Sequence, residues 1–134
     1  MNQGAAALAR SLFSGARPQA GSGQGRGNMA KYLVEARYSA EGAKGLAREG
    51  GTGRRAAATK AIEGLGGKIE AFYYAFGDVD AYVIFDVPDH VSAAALALAV
   101  SQGGGINTKT VVLMTPEEMD QAGKKAVDYR PPGR

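Results

Sequence analysis

The 134 residues include no cysteine and a single histidine, His90, which excludes a disulfide framework, a thiolate nucleophile and a transition-metal centre built within one chain. The net charge of +3 is local: Arg10, Arg17 and Arg26 fall in residues 1–28, which hold no acid. Of 16 basic residues, 13 remain beyond them, against 13 acidic ones, so no basic face argues for nucleic acid. No run reaches the ~18 consecutive apolar residues of a membrane span, and the length fits one domain of roughly 100–150 residues plus a tail. Without cysteines a reducing compartment is permitted, and a cytoplasmic location is expected.

Residues 1–28 are rich in Ala, Gly and Ser and read as a leader added to a domain that starts at Met29. Gly15 to Gly27 has the composition of a flexible linker. Ala5 to Phe13 can form one short helix, with Leu8, Leu12 and Phe13 on a face. Three readings compete: an upstream start with Met29 the true initiator, an address or docking peptide resembling an organelle presequence, and a secretory signal. The last is least favoured because its apolar segment is short and interrupted by Arg10.

Lys31–Tyr38 alternates Tyr32, Val34, Ala36 and Tyr38 against Lys31, Leu33, Glu35 and Arg37, a strand with one better-buried face. Ser39 is a helix N-cap with Glu41 in the first turn, and Gly50-Gly51 stops that helix. Thr52 caps a second segment, Arg54 to Leu65, giving one broken helix overall. Ile69–Phe76 alternates Glu70, Phe72, Tyr74 and Phe76 against Ile69, Ala71, Tyr73 and Ala75. Ala81–Val87 alternates Ala81, Val83 and Phe85 against Tyr82, Ile84 and Asp86. Gly77-Asp78-Val79-Asp80 between these runs is turn chemistry, so the pair reads as a central hairpin. Asp89 caps an apolar helix over Val91–Val100, which has little polar surface and should be well covered. Ile106–Met114 is the fourth strand. Thr115-Pro116-Glu117-Glu118 is a capping box opening a last helix to about Ala126.

Strand, helix, strand, strand, helix, strand, then an extra C-terminal helix is the βαββαβ order of a ferredoxin-like α+β sandwich. Right-handed crossovers put both main helices on one face of the sheet. Both registers of the hairpin are largely apolar, so the other face is expected to meet a second subunit, sheet against sheet.

The runs KYLVEARYSAEGAKGL, EGGTGRRAAATKAIEGLGGKIEAFYYAFGDVDAYVIFDVPD and ALALAVSQGGGINTKTVVLMTPEEMD resemble the GYD-domain proteins over residues 29–134. The family is named for a Gly-Tyr-Asp or Gly-Asp-Tyr-Asp turn; here Gly77, Asp78 and Asp80 are kept and Val79 stands where the aromatic is expected. The resemblance implies a dimeric α+β barrel. Because relatives of that wider fold include cofactor-free monooxygenases, muconolactone-type isomerases and haem enzymes, it implies no particular chemistry.

Two candidate sites stand out. Tyr32, Tyr73, Tyr74 and Tyr82, with Asp80 as a polar anchor, can line a pocket for a small apolar ligand; the competing reading is that aromatics at strand spacing are core or interface. Gly51, Gly53, Arg54 and Arg55 resemble an anion cradle at a helix start, against the plainer reading of a helix break with exposed arginines. His90, alone, reads as a solvent-facing residue in a helix first turn. No cofactor or metal is expected. Three functions follow: a homodimeric or higher homo-oligomeric domain for ligand binding or assembly, a cofactor-free enzyme acting on a small hydrophobic or phenolic compound, and a domain docked to a larger partner through residues 1–28.

Overall fold

The computed structural model describes residues 29–134, and the expected leader with its short helix lies outside them. The elements run β1 (Ala30–Tyr38), α1 (Ala40–Glu49), α2 (Gly51–Gly64), β2 (Lys68–Tyr74), β3 (Ala81–Val87), α3 (His90–Gln102), β4 (Ile106–Leu113) and α4 (Pro116–Gly123). The four strands form an antiparallel sheet in the order β2-β3-β1-β4, so each βαβ unit leaves a gap that a strand of the other fills. This is the ferredoxin-like α+β architecture the pattern predicts.

The register sorts the sheet into rows that run across all four strands. On the inner side, Ile69, Phe85, Tyr32 and Val112 align, and the Tyr32 and Phe85 rings stack with centroids 5.8 Å apart. Phe72, Val83, Val34 and Thr110 form the next inner row, and Tyr74, Ala81, Ala36 and Thr108 the one after it. Ile62 from α2 and Ala93 and Leu96 from α3 close over these rows as the core. The outer side has Ala71, Ile84, Leu33 and Val111 in one row, flanked by Tyr73-Tyr82-Glu35-Lys109 and by Lys68-Asp86-Lys31-Leu113.

Strict alternation along β2 does not hold. The pairing jumps from Ile69 to Ala71, a bulge at Glu70 that returns Ile69 to the same side as Phe72 and Tyr74. The bulged Glu70 carboxylate meets the Lys31 ammonium, which also lies 3.1 Å from Asp86. The hydrogen bond to Glu70, partly opposed by desolvation and reinforced by Asp86, raises the Lys31 pKa above its ordinary value. Phe76 lies past the strand end and is fully exposed rather than continuing the inner face.

The helical region between β1 and β2 is broken, as expected, but the break is a single residue. Gly50, at φ 93°, donates its N–H to Leu46 O and accepts from Arg54 N, ending one helix and starting the next. Thr52 is therefore inside α2 rather than its cap. At the other end of α1 the Ser39 side chain accepts from Gly42 N, and Ser39 N donates to Gly105 O at 2.9 Å. A Cβ on Gly42 would stand 1.9 Å from that same oxygen, so only glycine lets α1 seat on the start of β4.

Asp89 caps α3 by accepting from Ser92 N at 2.8 Å. The expectation that α3 is well covered fails: Ala93 is its one buried residue, while Val91 and Leu98 are 66% and 62% exposed. A helix apolar all round cannot satisfy every side against a single sheet. The Thr115–Glu118 capping box forms in both directions. Its helix ends at Gly123, short of Ala126, because Lys124 N and Lys125 N bond three residues back and tighten the chain into a turn.

Candidate functional site

The inner rows and the helices do not fill the space between them. Where Ala36, Ala81 and Thr108 of the sheet face Ala57, Ala58 and Ala61 of α2, a cavity of ≈ 140 Å³ remains. Methyl groups on both sides of a two-layer interface cannot bridge the gap that larger side chains close elsewhere. Phe72, Phe85, Leu96 and Val100 complete apolar walls. A second hollow of ≈ 380 Å³, bordered by Gly42, Leu46, Glu49 and Gly105, shares Tyr38, Arg54 and Leu96 with the first, so the cavity opens through it toward α1.

The polar groups are few. Arg54 sits in the first turn of α2, on the same stripe as Ala58 and Ala61, and its Nη1 lies 3.5 Å from Glu49 Oε1. The Tyr74 hydroxyl donates to Gly51 O at 3.0 Å, and its ring edge stands 3.0 Å from where a Cβ on Gly51 would be. Tyr74 thereby fastens the end of β2 to the start of α2. Desolvation raises the Tyr74 pKa, the Tyr38 phenol beside it adds to that, and Arg54 and Arg55 oppose it. A phenol displaced upward stays protonated at neutral pH, a hydrogen-bonding group rather than a proton-transfer one.

The sequence candidates are distributed as follows. Arg54 lines the cavity, while Tyr74 and Gly51 bond to each other beside the start of α2 without lining it. Gly53 packs its α-carbon against the Glu49 side chain, and Arg55 is exposed. Tyr32 is buried in the core against Phe85, away from the lining. Tyr73 and Tyr82 pair across strands on the outer side, 70% and 39% exposed. Asp80 is a structural anchor: its carboxylate accepts from Tyr38 N at 2.8 Å, its N–H donates to Ala36 O, and its carbonyl accepts from Ala75 N. Gly77 and Asp78 lie exposed in the turn, while Val79 is buried. His90 is exposed at the first position of α3.

Sequence reasoning expected a pocket but lined it with Tyr32, Tyr73, Tyr74, Tyr82 and Asp80, none of which lines the cavity, and it did not anticipate the alanine walls. The signal was present in Ala36 and Ala81 at core-facing strand positions and in the alanine stripe of α2, but only the register shows that they face one another. Among the described residues, no group of three or more His, Cys, Asp or Glu is placed to hold a metal, and no helix is long and apolar enough to cross a membrane. No curated protein matches the chain. A family model, that of the GYD domain, matches residues 32–122, which include every residue named in the cavity and beside it.

Proposed function

The chain belongs to the GYD-domain family, and from that premise we propose a homo-oligomeric domain that holds a small apolar ligand between its sheet and helices. The observation that carries the reading is the ≈ 140 Å³ cavity walled by alanine, valine, leucine and phenylalanine, with Tyr38, Arg54 and Thr108 as its few polar groups. Small-molecule sites have this character: an apolar enclosure with a few placed polar groups. An engineered apolar cavity of about 150 Å³ stays dry and accepts benzene, so a space of this size suits one ring.

Binding is favoured over catalysis by the polar groups at and beside the cavity. Arg54 presents only donors, and the Tyr74 phenol is displaced upward and stays protonated at neutral pH, so neither is poised as a general base. Association is supported by the outer sheet side, where the apolar row Ala71-Ile84-Leu33-Val111 lies between rows carrying charges of both signs. An apolar centre within a polar rim is the usual anatomy of a protein interface.

Native mass spectrometry of the full chain, with and without toluene, and of Ala58→Leu tests both parts. The expected result is a dimer or larger assembly that gains toluene mass, with the gain lost in Ala58→Leu, where the added side chain occupies the cavity. A monomeric full chain overturns the oligomer. An assembly whose mass never responds to toluene overturns the binding site.

A further inference from the structure

Among the described residues that line the inner cavity, Arg54 is the one that carries a charge. Its position follows from helix geometry, since Arg54, Ala58 and Ala61 share a stripe of α2, with Arg54 one turn before Ala58 and two before Ala61. Glu49 borders only the outer hollow and reaches Arg54 through a long, single-point contact of 3.5 Å. A guanidinium presents five N–H donors in a planar fork that matches a carboxylate, and one such contact uses a small part of it. Among the described residues the inner lining has no carboxylate, so Glu49 balances this charge from the outer hollow alone, while Tyr38 and Thr108 add hydroxyls.

Resting on the ligand-binding reading above, we infer that the cavity selects a compact hydrophobic molecule with an anionic end, of the class of a monocyclic aromatic carboxylate. The ring lies among Ala36, Ala58 and Ala81, and the carboxylate meets Arg54. The volume admits one ring and little more. A neutral ring fills the same space without engaging the guanidinium, and a cationic one meets it with like charge. Tyr74, by holding Gly51 O, keeps the first turn of α2 fixed against the sheet and so sets where the guanidinium stands.

Calorimetric titration of the full chain with benzoate, toluene and benzylamine tests the inference. Benzoate is expected to bind at least about tenfold tighter than toluene, a charge-assisted pair being worth at least that factor. Benzylamine is expected to bind more weakly than either, and benzoate affinity should fall as salt rises. Arg54→Gln should lower benzoate to the level of toluene. Toluene binding as tightly as benzoate, or benzoate indifferent to Arg54→Gln, overturns the anionic class while the apolar site stands. If neither ring binds the unmodified protein, the site and the inference fall together.

Discussion

Asp80 and Asp89 are both turn aspartates, and they act on different backbones. Asp80 reaches across the sheet to Tyr38 N, tying the hairpin loop to the end of β1 beside the cavity. Asp89 acts locally, accepting from Ser92 N at the head of α3. That hydrogen bond, chiefly, holds the Asp89 carboxyl below its ordinary value, with His90 contributing a smaller share. Because the folded value is depressed, its contribution to stability is present above the unfolded carboxyl pKa and lost as pH falls through the folded one. Asp89→Ala should therefore cost about 1 kcal/mol at neutral pH, and the deficit against wild type should shrink in acid. Asp89→Asn, which caps without titrating, should match wild type at neutral pH and lose less in acid. Urea unfolding of the three proteins across this range decides it; equal neutral stabilities for wild type and Asp89→Ala would leave the cap without energetic weight.

Elements were legible in the sequence wherever one residue type dictates one backbone geometry. The Thr115 capping box, the Asp89 cap and the glycine break after α1 all stand where the pattern puts them. What depended on a second element was not legible. The bulge at Glu70 answers to β3 and to Lys31, and the cavity exists because two alanine stripes meet across a layer. Glycines within α1 make the same point in a testable form. Helix propensity alone says that Gly42 and Gly45 are both improved by alanine, by about 1 kcal/mol each. Gly45 has open space within 4 Å, whereas a Cβ on Gly42 would collide with Gly105 O at 1.9 Å. Gly45→Ala is expected to stabilise by about that amount, and Gly42→Ala to destabilise by about 1–3 kcal/mol as α1 backs away from β4. Thermal unfolding of the pair reads the sign directly, and a stabilising Gly42→Ala would show that the α1–β4 seat has slack.

Taken whole, the molecule places its cavity on one side of the sheet and a half-buried apolar row, Ala71-Ile84-Leu33-Val111, on the other. Ile84 and Leu33 sit opposite each other on the two central strands, at the middle of the outer row. A lysine at position 84 can lay its methylene stem along the sheet and keep its ammonium in water, so an isolated subunit should fold as before. Against a second sheet the same ammonium is trapped in an apolar centre without a carboxylate, and the desolvation cost falls on association alone. If the chain assembles through this face as proposed, Ile84→Lys is therefore expected to give monomers at micromolar concentration by sedimentation velocity. Its circular dichroism should be unchanged, and it should still take up toluene, because the cavity opens on the opposite side. A variant that stays assembled would move the interface away from the sheet. The exposed Val91 and Leu98 side of α3 is the next face to test, by placing a charge at Leu98.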